Sequence, residues 1–444
     1  MKKVFTIVGA VSAFTVFAKY GAEISLDKQD GFYKSGETAV CRVLLKKDGV
    51  PLSGGKARLV LKKEGRIINK VDFVTDGKAK EFAAKLDAPG WLYFGFEIIG
   101  QDGKPLKGKK VQKHAMKPTI VTEAGALFDA DKIISPNSCP DDFDEFWKGR
   151  RAALDKIPMD VKLTEKACKE KSVKLYAVEV KCLGSRPVTG YLAVPVGDVA
   201  GKCPAVVEYL SAVHADASSV IPVSRAKLGA LALYVSWHGF PAGERKDFYV
   251  KNCREASRRG RETIIDRERW TTGEMYYRVM RSLDFIKSRP EWDKKNLVVV
   301  GGSLGGAQSA AAAALDKDVT LALVAVPTFA EIDNRKSGRG GHRIVTRNKQ
   351  IAKGDLRPYS VVPYFDIVNM ASRTNCEVFV CTGFSDETCP PSNVYTYYNA
   401  LKCKKFMSSN PFTGHFGTTK NIKGNKKLEE LVGSVKVYNY QIHK

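Results

Sequence analysis

A chain of 444 residues exceeds the length of one ordinary domain, and its hydrophobic fraction of 44% is typical of globular proteins with sizeable cores. Its formal net charge is +24, from 72 basic and 48 acidic residues. The positive charges are scattered over both halves of the chain without a nucleic-acid-binding motif, which argues against a nucleic-acid partner. A solvated lysine-rich surface explains the charge most simply, and attraction to a polyanionic glycan is the functional alternative.

The N-terminus has the pattern of a secretory signal. Lys2 and Lys3 precede an uncharged apolar run, Val4 to Ala18, that is shorter than the ~20 residues of a membrane span. We therefore expect residues 1–18 to be a signal peptide and the mature protein to be secreted or periplasmic. No later segment is apolar for long enough to cross a bilayer. The ten cysteines show no tight framework, and we expect mostly buried thiols with one or two disulfides.

Residues 23–117 are predicted to form a small immunoglobulin-like β-sandwich. Short runs with alternating, β-branched or aromatic residues are separated by hairpin turn sequences such as Asp48-Gly49 and Glu64-Gly65. About seven strands fit a segment of this length. The only histidine of the segment, His114, lies beside the linker, and nothing in the segment looks catalytic. We expect it to be a structural partner of the second domain, with carbohydrate binding as the alternative.

Residues 118–444 are predicted to form an α/β-hydrolase domain on a doubly wound, mostly parallel sheet. The residues around Pro140 have the pattern of a helix N-terminus. From Val173 onward, predicted strands alternate with predicted helices. The later strands are continuous Val, Leu and Ala runs, as expected for parallel strands covered on both faces. A ligand site is expected at the carboxyl ends of the strands. The strand candidates are 173–180, 188–194, 205–210, 231–237, 297–300, 321–326 and 378–382, and the helix candidates include 275–286 and 304–315.

Ser303 occupies a predicted nucleophile elbow. An apolar strand leads into Gly301-Gly-Ser303-Leu-Gly305, and a helix of small residues follows. Glycine two residues before and after the serine allows the neighbouring backbones to approach closely in this strained turn. A phosphate-binding loop is the rival interpretation, but the sequence lacks both its lysine motif and the G-x-G-x-x-G spacing. Ser303 is therefore the predicted nucleophile.

The acid and the base should follow the nucleophile in that order along the chain. Asp386 comes after an apolar strand-like run and His415 lies further on, so we predict Asp386 as the acid and His415 as the base. Glu387 and Asp333 are the fallback acids. His342 precedes Asp386 and is out of order.

Two backbone amides are expected to stabilise the oxyanion. The first belongs to Leu304, directly after the nucleophile, and the second to the loop after the strand 205–210, around Ala212. The sequence contains no H-E-x-x-H pattern or other metal-ligand cluster, and we expect neither a metal nor a cofactor.

With these residues in place, the second domain resembles the acetyl xylan esterase and cephalosporin-C deacetylase family, carbohydrate esterase family 7, over roughly Ile120 to His415. The resemblance implies a serine-triad enzyme that removes O-acetyl groups from a polysaccharide or oligosaccharide. The similar segments are 125–132, 141–147, 276–285, 288–292, 300–306, 386–391 and 414–415.

Three departures from the family pattern surround the predicted site. Leu304 replaces the usual Gln but keeps its backbone amide. The family's Tyr-x-Gly loop reads Tyr209-Leu-Ser-Ala212, and its Arg-Gly-Gln motif is replaced by Trp237-His238-Gly. His238 is either a substrate contact or, more simply, a structural histidine. These changes leave open which acetylated glycan is the substrate, and the sequence leaves the assembly state open as well.

Two other function classes remain as alternatives. The first is a serine peptidase or a hydrolase of larger acyl esters, and the second is a non-catalytic glycan-binding protein with a hydrolase-like domain.

Overall fold

The computed structural model describes residues 19–107, 118–339, 343–346 and 348–416. The predicted signal peptide, residues 1–18, lies outside the described residues, as do His114 and His342.

The N-terminal part of the chain forms two β-sheets. In the four-stranded sheet β3 pairs with β1, β4 and β7, and the five-stranded sheet has the order β2-β9-β8-β5-β6. The strands are β1 (Tyr20–Leu26), β2 (Phe32–Tyr33), β3 (Thr38–Lys47), β4 (Val50–Pro51), β5 (Ser53–Lys63), β6 (Arg66–Asp76), β7 (Lys80–Lys85), β8 (Gly90–Ile98) and β9 (Ile120–Phe128).

The two N-terminal sheets face each other across an apolar core. Phe82 of β7 contacts Phe96 of β8, with ring centroids 5.5 Å apart, and both sheets contribute buried residues to the same cluster. The Asp48-Gly49 and Glu64-Gly65 turns join β3 to β4 and β5 to β6, and all four residues have positive φ. This backbone geometry is the one that tight hairpins require, so the turn predictions are confirmed.

The five-stranded N-terminal sheet includes a strand, β9, that lies beyond the predicted domain boundary at residue 117. β9 pairs with β8 in antiparallel fashion and with β2 in parallel fashion. Every residue of β8 is buried, and such a strand needs a hydrogen-bonding neighbour on both sides. The sequence assigned the segment from Ile120 to Phe128 to the second domain. It instead belongs to the five-stranded N-terminal sheet.

The second part of the chain is built on a nine-stranded sheet with the order β10-β11-β12-β14-β13-β15-β16-β17-β18. The pairs from β14 through β18 are parallel, and those from β10 to β14 are antiparallel. The strands are β10 (Lys162–Lys166), β11 (Val173–Val180), β12 (Val188–Pro195), β13 (Cys203–Tyr209), β14 (Leu231–Val235), β15 (Trp292–Gly302), β16 (Leu321–Ala325), β17 (Glu377–Gly383) and β18 (Lys405–Asn410).

Helices connect these strands, and the largest core of the molecule lies between α4, α5 and the sheet. The parallel strands β13, β14, β16 and β17 are buried along nearly their whole length, as the continuous apolar runs predict. The helices are α1 (Phe143–Asp155), α2 (Val220–Ala226), α3 (Lys246–Thr263), α4 (Glu274–Lys287), α5 (Leu304–Leu315), α6 (Arg343–Thr346), α7 (Lys349–Ala352), α8 (Pro358–Val361), α9 (Ile367–Ala371) and α10 (Pro391–Ala400), with 3₁₀ turns at Ala130–Lys132 and Val362–Tyr364.

None of the helices in the described ranges combines the length and the apolar character that a membrane crossing requires.

All ten cysteines lie within the described residues and none is disulfide-bonded, so the expected one or two disulfides are not formed.

Candidate active site

Ser303 lies at the sharp turn between β15 and α5. Its φ of 58° and ψ of −119° describe a backbone conformation that residues other than glycine rarely adopt. A Cβ on Gly301 would lie 2.2 Å from the Gly305 carbonyl oxygen, and one on Gly305 would lie 2.2 Å from the Tyr209 carbonyl oxygen. Both glycines are therefore needed for the backbones to approach, as the elbow pattern predicts.

Three of the predicted residues form one hydrogen-bonded chain. His415 Nε2 lies 3.0 Å from Ser303 Oγ, and His415 Nδ1 lies 2.7 Å from Asp386 Oδ2. Ser303, Asp386 and His415 follow β15, β17 and β18, whose parallel carboxyl ends meet at one edge of the sheet. This is the edge where ligand sites of open α/β sheets occur.

The Asp386 side chain is fully buried and held from two sides. Its Oδ1 accepts hydrogen bonds from the Thr388 amide at 2.7 Å and the Cys389 amide at 2.9 Å. These bonds fix the carboxylate, so that Oδ2 faces the His415 imidazole. An acceptor at Nδ1 favours the tautomer that carries its proton there, which leaves Nε2 to accept the proton of the Ser303 hydroxyl.

The fallback acids have other partners. Glu387 forms an ion pair with Lys62 of β5, and Asp333 forms a two-pronged ion pair with Arg335. Asp386 is thus the candidate acid that the structure joins to His415.

The loop after β16 borders the nucleophile and carries backbone strain that sequence reasoning missed. The Thr328 amide donates to the Ser303 carbonyl oxygen at 3.1 Å. Val326, Phe329 and Glu331 have φ of 37°, 61° and 52°. Strained backbone of this kind concentrates at functional sites. None of these three is Gly, Asn or Asp, so no residue-type signal announced the strain.

The two predicted oxyanion donors both lie next to the elbow. Leu304 is the first residue of α5, where a backbone amide has no partner within the helix. Ala212 follows Ser211, whose hydroxyl donates to the Gly302 carbonyl oxygen at 2.9 Å. The loop that contains Ala212 therefore packs on the elbow, and the role of its amide stays a prediction.

The two segments that depart from the family pattern form one connected wall. Trp237 Nε1 donates to the Val213 carbonyl oxygen at 3.1 Å, and the Gly243 amide donates to Asp216 Oδ2 at 2.8 Å. Residues 211–216 and 237–243 therefore hold each other in place beyond the ends of β13 and β14.

His238 is a structural residue of this wall. Its side chain is buried, its Nδ1 accepts from the Phe240 amide at 3.1 Å, and its Nε2 lies 3.1 Å from the Ala215 carbonyl oxygen. Both contacts are satisfied by the neutral ring with its proton on Nε2. Burial lowers the pKa of His238 to about 4. The structure therefore favours the structural role over a substrate contact.

One group of side chains has the composition of a metal site. Ligand atoms of Asp386, Cys389 and His415 lie within 4.8 Å of one another. Both nitrogens of His415 already contact Asp386 and Ser303, so the hydrogen-bonded chain accounts for the arrangement of the imidazole without a metal.

A serine on a nucleophile elbow, joined to a histidine and a buried aspartate above a mostly parallel sheet, defines a hydrolase of the α/β-hydrolase class. The profile of the acetyl xylan esterase (AXE1) family matches residues 127–428. The chain therefore belongs to the acetyl xylan esterase family, and it is a carboxylic ester hydrolase.

Individual relatives agree with this membership. The acetyl esterase Axe7A of Xylanibacter ruminicola is 27% identical over 409 residues, which cover 88% of this chain and 85% of that protein. The acetyl xylan esterases of Paenibacillus sp. R4 and Thermoanaerobacterium sp. JW/SL YS485 share the fold, with TM-scores of 0.57 and 0.55 at 24% and 20% identity. Each of these two similarities covers 68% of this chain and 96% of the other.

The buried His238 should make stability depend on pH. Folded protein keeps the ring neutral down to a pKa of about 4, whereas an unfolded chain protonates it near the ordinary 6.5. The unfolded state therefore binds more protons between these values, and stability is lost as the pH falls from 6.5 to 4. His238→Gln should remove up to about 3 kcal/mol of this pH dependence, which thermal unfolding at a series of pH values will measure.

His214→Gln is the control, because His214 lies in the same wall but is partly exposed. Burial also lowers the pKa of His214, so this variant should lose a part of the pH dependence that is smaller than the loss in His238→Gln. Equal slopes for the wild type and His238→Gln would contradict the neutral, buried state of His238.

Proposed function

We propose that the protein is an exported serine carbohydrate esterase that removes O-acetyl groups from a polysaccharide or oligosaccharide. The observation that carries the proposal is the Ser303–His415–Asp386 hydrogen-bonded chain. Membership of the acetyl xylan esterase family supports the acetyl group and the carbohydrate. The signal-like residues 1–18 support export to the periplasm or the exterior.

The reaction starts with attack of Ser303 Oγ on the acetyl carbonyl carbon. His415 Nε2 takes the hydroxyl proton as the new C–O bond forms, and the negative charge of Asp386 stabilises the resulting imidazolium. The carbonyl oxygen becomes an oxyanion, for which the amides of Leu304 and Ala212 are the proposed donors.

The tetrahedral intermediate then collapses. The bond to the sugar oxygen breaks, and His415 returns its proton to that oxygen, so a sugar hydroxyl leaves and an acetyl-serine forms. A water molecule gives its proton to His415 and attacks the acetyl carbon in the same way. Acetate leaves, and Ser303 recovers its proton.

The wall of residues 211–216 and 237–243 is the proposed sugar-facing side of the site. It departs from the family pattern in both segments, so we propose a substrate other than plain acetylated xylan. An anionic acetylated glycan fits the net charge of +24. We further propose that the two N-terminal sheets form an immunoglobulin-like sandwich and that this sandwich is a structural partner of the hydrolase domain.

Ser303→Ala should abolish acetate release from p-nitrophenyl acetate and from acetylated polysaccharides, because the attacking oxygen is removed. Asp386→Asn should lower kcat by about 10⁴-fold, since the amide no longer selects the productive histidine tautomer. Initial rates on purified protein measure both effects.

Ser309→Ala is the matched control. Ser309 lies on α5, six residues after Ser303, and among the described residues its buried hydroxyl has no hydrogen-bond partner. This variant should keep wild-type activity. Wild-type acetate release by Ser303→Ala would rule out the serine mechanism, and a wild type that a fluorophosphonate probe does not label would favour the non-catalytic glycan-binding alternative.

The acyl group is tested with a series of p-nitrophenyl esters of increasing chain length. A site for acetate should lose kcat/KM steeply beyond propionyl, because each further methylene must fit a pocket shaped for a methyl group. A flat profile, or cleavage of peptide substrates by the same serine, would instead support the broader hydrolase or peptidase alternative.

The anionic-glycan proposal is tested by the response to salt. Activity on an acetylated polymer that carries carboxylates should fall markedly between about 0.01 and 0.5 M NaCl, because screening weakens attraction between exposed charges. Activity on a neutral acetylated polymer is the control and should change little. The same response on both polymers would assign the charge to surface solvation.

A further inference from the structure

The five-stranded N-terminal sheet has a second face, which is buried against the hydrolase sheet's loops. Successive side chains of β8 point to opposite faces. Leu92, Phe94 and Phe96 belong to the core between the two N-terminal sheets. Trp91 and Tyr93 belong to a separate apolar cluster. The full burial of β8 thus reflects packing on both faces.

This second cluster contacts the loop that carries the predicted acid, residues 383–389, here called the acid loop. Trp91 Nε1 donates to the Phe384 carbonyl oxygen at 2.6 Å, and Trp91 is fully buried. The rings of Phe32 and Phe384 meet edge to face with centroids 5.2 Å apart. Phe384 lies two residues before Asp386, so its position fixes the start of the turn that presents the carboxylate.

Two charged residues, Glu64 and Lys62, make further contacts beside the one between Trp91 and Phe384. Glu64 is buried, and it accepts from the Trp91 amide at 2.7 Å and from the Ser392 hydroxyl, at the start of α10, at 2.6 Å. Lys62 pairs with Glu387, next to Asp386, and its Nζ lies 5.0 Å from the centre of the Tyr93 ring. Contacts from β5 and β8 therefore reach the acid loop before and after Asp386.

The same sheet also holds the loop that carries His415, residues 411–416, here called the base loop. The Pro411 carbonyl oxygen accepts from the Gly125 amide of β9 at 2.8 Å and from the Ser385 hydroxyl at 3.1 Å. The Ser385 amide donates to the Thr413 carbonyl oxygen at 3.0 Å. One carbonyl group thus connects the N-terminal sheet, the acid loop and the base loop.

Gly125 permits this close packing. A Cβ at this position would lie 1.9 Å from the Phe384 carbonyl oxygen, which is far inside contact distance. The absence of a side chain lets β9 approach the acid loop closely enough for the hydrogen bonds on either side.

We propose that the five-stranded N-terminal sheet is a positioning part of the active site, in which Trp91 and Lys62 hold the acid loop so that Asp386 meets His415. Glu64 supports them by joining the Trp91 amide to Ser392 of α10. This inference rests on the proposed serine mechanism. The residues act through the acid loop and do not contact the reacting atoms, so they should affect the chemical step more than substrate binding. Small displacements of catalytic groups can cost as much as about 100-fold in rate.

The decisive variant is Trp91→Phe in the full chain. It keeps an aromatic ring in the cluster and removes the donor to Phe384. We expect kcat for p-nitrophenyl acetate to fall about tenfold, within the cost of a small displacement of catalytic groups, with KM within about twofold of wild type. Rates are divided by the concentration of folded protein, with the folded fraction taken from thermal unfolding curves. The rate at which a fluorophosphonate labels Ser303 should fall in parallel with kcat.

Trp292→Phe is the matched control. Its indole also donates to a backbone oxygen, that of Asn296, at 3.0 Å, but it lies at the start of β15, at the opposite end of the strand from Ser303. This variant should keep wild-type kcat. If Trp91→Phe and Trp292→Phe have the same kcat and labelling rate, the positioning role is wrong.

Lys62 offers a second variant that should fold even if Trp91→Phe does not, because its side chain is partly exposed. Lys62→Met keeps the apolar stem and loses the charge, and it should lower kcat about threefold. Lys62→Arg should restore the rate. Wild-type kcat for Lys62→Met, or a loss that arginine does not restore, would contradict the inference.

The serine mechanism is judged separately by Ser303→Ala. An inactive Ser303→Ala together with an unchanged Trp91→Phe overturns only the positioning role. An active Ser303→Ala overturns the proposed function itself.

Discussion

The 2.7 Å hydrogen bond between His415 Nδ1 and Asp386 Oδ2 is the interaction on which the site depends. It joins two loops that follow different strands, and neither loop has regular structure to fix its side chain. The carboxylate is held by two amides of its own turn, and the turns themselves are held by bonds between the loops. Because the aspartate is buried, water cannot replace a lost partner, and its position depends on every one of these contacts.

Close backbone approach is the second constraint, and it is met by glycine in two places. Gly301 allows the two arms of the elbow to approach each other, Gly305 allows the elbow to pass against β13, and Gly125 allows β9 to pass against the acid loop. Gly301 and Gly305 place Ser303, and Gly125 borders the loops that carry Asp386 and His415. The position of Ser303 thus depends on packing within the hydrolase sheet, whereas the loops of Asp386 and His415 also contact a sheet from the other end of the chain. The N-terminal part of the chain thus contacts the loops of the candidate site, although none of the predicted site residues lies in it.

Much of the architecture was predictable because its causes are local. All seven strand candidates of the second domain appear, as do the helices α4 and α5, since continuous apolar runs and helical spacing are properties of short segments. β10 and β18 were missed because they are short and polar and owe their conformation to pairing with β11 and β17. The helix α3 was missed because its charged surface hides a narrow buried stripe.

The sequence by itself determined the family, and it predicted the site: a strained glycine-flanked serine, followed by a candidate acid and a candidate base in a fixed chain order. These follow from residue types at short spacing, where sterics and chain direction leave few choices. Only the tertiary structure decided that Glu387 forms an ion pair with Lys62, that His238 is buried in the wall, and that β9 belongs to the five-stranded N-terminal sheet. Each of these depends on contacts between residues far apart in the chain, and no local pattern specifies which distant surface a side chain will meet.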